Sequence, residues 1–354
     1  MKKKVIMLLH QLQHYRIPIL NLVSEECELT IVCDNSDRID MSKVNFSVLD
    51  VKLKNIGPFI VHDKSDFKEL LNEFDVVISL LNIRCFDIMK LLFLKRNFKL
   101  ALWGIGVTAS YNKRFDERGL SGLIREFLAV KADALIFYSD YPTARYINFG
   151  YDMNKIYIAN NTIDNVIEEL PKSRRNSLLF VGTLYKEKGI LELLDAYRSS
   201  TNYIERAKMP KLVIVGDGEL KEEIISYLER NDLTELIELR GAIYDQKELN
   251  KCFAEAIASV SFNQAGLSVL TSMSNGVPFI TSSNAITGGE ILNIKNGENG
   301  ILIDSISDLE KIICEIAQDP GYFINMGKRA HEYYLKNRKP EVMASGLIDC
   351  IKGI

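Results

Sequence analysis

Lys186 and Lys188 lie in the run Leu179-Phe-Val-Gly-Thr-Leu-Tyr-Lys-Glu-Lys-Gly-Ile-Leu-Glu-Leu-Leu194, where an apolar strand ends at Gly182 and a helix starts near Gly189. A glycine at a strand end lets a ligand approach the main chain. Lysines at a helix start add positive charge to N–H groups that have no intrahelical acceptor. That pairing suits a phosphate, although a solvated strand–helix loop has the same appearance. Leu212-Val-Ile-Val-Gly-Asp-Gly-Glu219 is a second strand running into glycines. The helix after it opens with Glu219, Glu222 and Glu223, which would repel an anion, so Gly216 reads as part of a turn lining a nucleotide site. In Phe262-Asn-Gln-Ala-Gly-Leu-Ser268 a strand gives way to a helix near Gly266, which offers the amides of Gly266, Leu267 and Ser268 and the Ser268 hydroxyl to an anion. Thr287-Gly-Gly-Glu290 and Asn296-Gly-Glu-Asn-Gly300 are glycine turns around a short helix, with Glu290 at a position suited to a ligand contact.

The first half carries weaker signals. His10, His14 and Arg16 follow the first strand and can touch a sugar or a phosphate; a plain helix-start loop accounts for them equally. Gly104-Ile-Gly-Val-Thr-Ala109 fits G-x-G-x-x-A, but it does not follow the first strand and no strand ending in an acid comes about 20 residues later, so a nicotinamide or flavin site is not expected. Lys90-Leu-Leu-Phe-Leu-Lys-Arg-Asn-Phe-Lys99 is basic and amphipathic, with Lys113, Arg114, Arg118 and Arg125 nearby in sequence, and suits either an anionic lipid surface or plain solvation. No D-x-D, P-loop, H-E-x-x-H or G-x-S-x-G is present, and His62 and His331 lack ligand-spaced partners, so no metal site and no cofactor are expected.

The elements that must hold these residues are short apolar strands alternating with amphipathic helices. Strands are expected at 5–9, 29–33, 46–53, 76–80, 99–103, 134–138 and 156–159, then at 178–181, 212–215, 237–240, 258–262, 278–281 and 300–303. Helices are expected near 16–24, 66–73, 84–96, 119–131 and 140–149, then near 188–199, 219–230, 246–255, 266–275, 287–293, 307–318 and 322–336. Asp66, Ser139 and Asp140 are the expected N-caps. Continuous apolar runs mean strands buried on both faces, hence parallel α/β sheets. The chain of 354 residues has room for two such domains, 1–168 and 169–354, joined near the polar Pro171–Asn176 stretch.

Composition excludes several classes. With 47% hydrophobic and 26% charged residues the chain folds rather than staying disordered. A net charge of −3 argues against a nucleic-acid binder. Residues 1–160 hold 22 Lys/Arg against 19 Asp/Glu and residues 161–354 hold 22 against 28, a mild basic bias toward the first half. Six scattered cysteines without a C-x-x-C pair read as small hydrophobes of a reducing cytoplasm. The apolar run Val5–Leu9 is too short for a signal peptide or a membrane span.

Five stretches in order, Val181–Gly189, Val215–Gly218, Gly266–Pro278, Gly288–Glu290 and Asn296–Leu302, resemble V-G-x-L-x-x-E-K-G, V-G-D-G, G-L-x-x-L-x-x-M-x-x-G-x-P, G-G-E and N-G-x-N-G-x-L of the GT-B glycosyltransferases, of the retaining family 4 (group 1) type. The first half resembles them by architecture alone. The resemblance implies two Rossmann-like domains facing across a cleft, with a final helix crossing back to the first. It implies a metal-independent, hexosyltransferase-type enzyme moving a sugar from a UDP- or GDP-sugar to a glycan or lipid-linked acceptor. The expected setting is bacterial surface polysaccharide synthesis at the inner face of the cell membrane. Lys188 and the Gly266–Ser268 turn would hold the diphosphate. Gly182, Thr183, Gly216, Asn263 and Glu290 would complete the donor site, and Thr271 would face the ribose. Lys188, His14 and Arg16 are the catalytic candidates, and His10, His14, Trp103 and Ile105 the acceptor-side ones. The chain departs from the pattern at Thr183, often Arg, and at Asn263 and Thr271, often glutamates. It departs again at Ile105, where relatives carry histidine inside Trp-Gly-x-Gly. A nucleotide-sugar 2-epimerase and a non-catalytic scaffold of the same fold are the alternatives.

Overall fold

The computed structural model describes residues 2–109 and 115–354. Two compact units divide the chain: residues up to Ala109 with Phe115–Asp164 and Arg338–Ile354, and Asn165–Asn337. The division falls at Asp164, not within Pro171–Asn176. That polar stretch belongs to the second unit because Arg175 donates to the carbonyls of Ala256, Gly276 and Asn275 at 3.1, 2.7 and 3.2 Å.

The first unit is built on β1 (Lys4–Leu8), β2 (Glu28–Cys33), β3 (Ser47–Asp50), β4 (Leu53–Ile56), β5 (Phe59–His62), β6 (Val76–Leu80), β7 (Lys99–Gly104), β8 (Ala134–Phe137) and β9 (Ile156–Ile158). Seven of them form one sheet in the order β3-β2-β1-β6-β7-β8-β9, every pair parallel. Val5, Ile6, Met7 and Leu8 are all buried, as strands covered on both faces must be. Helices α1 (Ile17–Ser24), α2 (Phe67–Leu71), α3 (Phe86–Leu91), α4 (Leu120–Ala129) and α5 (Thr143–Asn148) cover the sheet.

Several expectations change here. The single strand expected over 46–53 is two, because β4 leaves the sheet to pair antiparallel with β5 in a hairpin that the sequence reading lacked. The helix expected over 84–96 ends at Leu91, and Arg96 turns to Asp133 at 2.7 Å. Asp66 occupies its cap position without a side-chain bond, and α5 starts after Pro142 rather than at Ser139 or Asp140.

The second unit repeats the scheme with β10 (Ser177–Val181), β11 (Lys211–Val215), β12 (Ile237–Gly241), β13 (Ala256–Val260), β14 (Gln264–Ala265), β15 (Phe279–Ser282), β16 (Ile286–Thr287) and β17 (Gly300–Ile303). Its main sheet runs β12-β11-β10-β13-β15-β17, all parallel, while β14 and β16 pair separately. Helices α6 (Ile190–Ser200), α7 (Lys221–Arg230), α8 (Gln246–Glu255), α9 (Ser268–Ser274), α10 (Ile306–Gln318) and α11 (Pro320–Asn337) flank it. The helix expected at 287–293 is one 3-10 turn, Glu290–Asn293. The last helix, α12 (Pro340–Gly353), packs on α1 and β9 of the first unit, where Met343, Leu347 and Cys350 are fully buried.

Candidate functional site in the second unit

Lys188 sits in a 3-10 turn, Lys186–Lys188, between β10 and α6. Its side chain folds over the end of β10, so that a methyl group placed on Gly182 would lie 3.2 Å from Lys188 Cε and 3.4 Å from Nζ. Burial alone lowers its pKa below the ordinary lysine range, with no carboxylate acting on it. A half-buried ammonium without a counter-ion is the electrostatic signature of a site that awaits an anion.

Gly189 then takes the left-handed conformation, φ +72°, and a Cβ there would stand 2.9 Å from the Asn263 nitrogen. Only glycine allows both the turn and this approach. The Asn263 N–H points at the Lys188 carbonyl at 3.5 Å, and the Ser261 hydroxyl at the same oxygen at 3.4 Å. Asn263 Nδ2 donates to Glu192 Oε1 at 3.0 Å. Glu192 is thus a site residue that the sequence motifs do not mark; its place one turn into α6 was the available signal.

Four loops meet at the carboxyl ends of β10, β11, β13 and β15, where ligands bind in open α/β sheets. The Gly216–Gly218 turn lies against the loop after β10, with Gly182 N–H donating to the Val215 carbonyl and Leu184 N–H to the Asp217 carbonyl, both at 3.0 Å. The loop after β15 reaches Asn263 through the Ile286 N–H, 2.8 Å from its carbonyl. Gly182, Gly216, Lys188 and Asn263 are therefore brought together, the Gly266–Ser268 turn follows Asn263 along the chain, and Thr183 stands exposed next to Gly182.

The turn itself differs from the simple expectation of a strong helix terminus. α9 has only seven residues, so its dipole is small. What it offers is local: first-turn amides and the Ser268 hydroxyl, which is buried with no partner among the described residues. The Thr271 hydroxyl donates back to the Leu267 carbonyl at 3.1 Å, which leaves it only as an acceptor toward any ligand. Glu290 is buried, and its carboxylate accepts from the Gly288 N–H at 3.0 Å, so it holds its own loop.

In the first unit His10, His14 and Arg16 do not converge. His10 is 3.2 Å from Cys85 Sγ, and burial, helped by His62, lowers its pKa, which favours the neutral ring. His14 is exposed, edge-on to Tyr15. Arg16 lies 4.7 Å over the Trp103 ring and donates to Tyr138 Oη at 3.0 Å and Asn161 Oδ1 at 3.5 Å. Those contacts make it a packing residue rather than a free cation. Trp103 is buried, and Ile105 half-buried beside it. Of the basic patch, Arg96 is paired with Asp133, Arg118 is exposed, Arg125 is partly buried, and Lys113 and Arg114 lie outside the described residues. Among the described residues no three His, Cys, Asp or Glu side chains are placed to share a metal ion, and no helix is long and apolar enough to cross a membrane.

Residues 175–319 match the family described as Glycosyl transferases group 1. No protein of curated function matches the sequence significantly. Among solved structures the chain is similar to HepE from Anabaena in complex with UDP, with a TM-score of 0.73 at 13% identity over 99% of this chain and 100% of that one. It is similar to the lipopolysaccharide outer core galactosyltransferase WaaB, TM-score 0.67, 17% identity, covering 99% of both chains. It also resembles the pneumococcal O-GlcNAc transferase GtfA in complex with UDP and GlcNAc, TM-score 0.66, 12% identity, again covering 99% of both. Over residues 175–319 the chain is thus similar to the group 1 glycosyl transferases, and its fold is the GT-B fold of the structures it matches.

Proposed function

We propose that this chain is a retaining, metal-independent hexosyltransferase that moves a sugar from a nucleotide-diphosphate sugar to a glycan or lipid-linked acceptor. The carrying observation is the Lys188 ammonium, half-buried over the end of β10 with burial the one influence on its pKa, while the loop whose Asn263 N–H meets the Lys188 carbonyl at 3.5 Å leads on to a Ser268 hydroxyl with no partner among the described residues. As the bond from the sugar to the diphosphate breaks, negative charge builds on the departing phosphate. Lys188 and the amides of Gly266–Ser268 stabilise that charge without reorganising, commonly the largest catalytic contribution. The departing phosphate oxygen takes the acceptor hydroxyl's proton, so the site needs no separate base. Asn263, fixed by Glu192, stands where a sugar hydroxyl can bond, and Thr271 accepts from the ribose.

The UDP held by HepE and GtfA makes a uridine nucleotide the first donor to test, with GDP second. WaaB's role in lipopolysaccharide supports surface polysaccharide assembly at the inner face of the membrane as the setting. The test is calorimetric titration of the purified chain with UDP, GDP and their sugars, followed by product analysis with and without acceptor. Saturable binding that K188A weakens supports the reading. A chain that binds none of them is a scaffold, and one that releases nucleotide and an altered sugar without acceptor is an epimerase.

A further inference from the structure

A cavity of about 390 Å³ opens in the first unit at the carboxyl ends of β6, β7 and β8. Asn82, Trp103, Thr108, Ser121, Arg125 and Tyr138 line it among apolar and glycine residues, with no carboxylate among the described lining residues. Among the described residues, Nε and Nη2 of Arg125 and Nε1 of Trp103 are buried with no acceptor. The Arg125 guanidinium also contacts the Tyr146 hydroxyl, which itself donates to the Gly106 carbonyl at 2.9 Å. Buried donors without acceptors on two residues that line one cavity are costly unless a ligand uses them, and a guanidinium fork fits a phosphate.

The cavity does not stand alone. Ile83 lines both it and a groove of about 740 Å³ whose walls include Phe59, Phe86, Met89, Phe93, Ile124 and Leu128. Helix α4 serves both, with Ser121 and Arg125 toward the cavity and Ile124 and Leu128 toward the groove. Phe59, Phe86, Phe93 and Ile124 are 43%, 51%, 58% and 44% exposed, a large apolar surface to leave in water. Arg84 and Lys90 border the same groove. An unpaired cation in a pocket that runs into an apolar channel matches one kind of molecule, an anionic head on a hydrocarbon tail.

We propose that cavity and groove form one site for a lipid phosphate, its phosphate drawn to Arg125 and its chain lying across Phe59, Phe86, Phe93 and Ile124. The proposal deepens the lipid-linked acceptor reading and rests on it. Of the Lys90–Lys99 stretch it keeps Lys90, Phe93 and Leu94, which line the groove, and leaves out Arg96, which is paired with Asp133.

The test titrates the full chain with dodecyl phosphate below its micelle concentration, by calorimetry and by the emission of Trp103, the chain's single tryptophan. Saturable binding that changes the emission is expected, with dodecyl maltoside at least tenfold weaker and inorganic phosphate weak but competing. R125Q should weaken dodecyl phosphate at least tenfold, and R125K, which keeps the charge but loses the fork, about threefold or more. The double variant F86D/F93D should weaken dodecyl phosphate while leaving inorganic phosphate unchanged. Equal affinity for the phosphate and the maltoside overturns the proposal, as does native affinity in both Arg125 variants. Binding to phosphatidylglycerol vesicles without binding to soluble dodecyl phosphate also overturns it, since that is a bilayer surface and not a site for one lipid. If R125Q does not fold, R125K and F86D/F93D decide. UDP calorimetry on the same samples reads the second unit separately: intact UDP binding without lipid phosphate binding removes only this inference, and the reverse removes only the donor reading.

Discussion

Burial without a counter-ion holds the Lys188 pKa low, so an arriving diphosphate raises it again. Nucleotide affinity should therefore be flat near neutral pH and fall as pH rises through the lowered pKa of the free protein, below the range where an ordinary lysine would act. Calorimetry of UDP binding across pH checks this, and K188Q should flatten the profile. The stability of the ligand-free protein runs the opposite way. The unfolded chain keeps the proton longer, so this residue's contribution to stability rises with pH across the same window. K188A should lower kcat about 10²- to 10³-fold, with the thermal unfolding midpoint little changed; turnover within a few-fold of the native value would remove the lysine from the mechanism. Arg16 behaves differently because its guanidinium is spent on Trp103, Tyr138 and Asn161. R16K should cost about 1–2 kcal/mol in urea unfolding and leave the UDP affinity unchanged, the mark of a packing residue.

At the scale of elements, the site depends on glycine turns that let loops touch. A Cβ at Gly216 would fall 1.9 Å from the Gly182 carbonyl oxygen, so G216A must push the β10 and β11 loops apart. It should cost about 1–3 kcal/mol in urea unfolding and weaken UDP binding together with stability. G57A, in the β4–β5 turn with nothing within 4 Å, should leave UDP binding untouched. Strand identity was legible because buried parallel strands are apolar without interruption, as in β1 and β10. The β4–β5 hairpin was not: Lys54 and Asn55 give β4 no apolar signature, and its pairing is decided by β5 across the turn. The start of β13 was also hidden. Helix α8 runs into it at Ala256 with no turn residue, and only pairing of Ser177 with Ala256 marks the change.

At the scale of the whole chain, α12 completes the first unit's core although it comes last in sequence. Leu347 is fully buried in the same cluster as Val5, Ile31 and Trp103. L347A should destabilise by about 2–5 kcal/mol, read as a lower unfolding midpoint. UDP affinity, measured below that midpoint, should stay native, because the donor residues belong to the other unit. The resemblance implied a last helix crossing back, but no composition along the chain marks it: Arg338–Ile354 belongs to the first unit through contacts more than 300 residues away, such as Lys3 Nζ with the Ile351 carbonyl at 2.9 Å.

The amino-acid sequence by itself determined the alternation of strand and helix, the glycine turns at strand ends and the lysine among them, because burial periodicity and backbone freedom are local properties. The tertiary structure alone decided which polar groups found partners. Arg16 is hydrogen-bonded and Arg96 ion-paired by neighbours, Glu192 fixes Asn263, and among the described residues Lys188 and Arg125 have no carboxylate partner. The reach of a long side chain is short beside the chain's length, so its partner is set by whatever folding carries to it, and no spacing along the sequence records that.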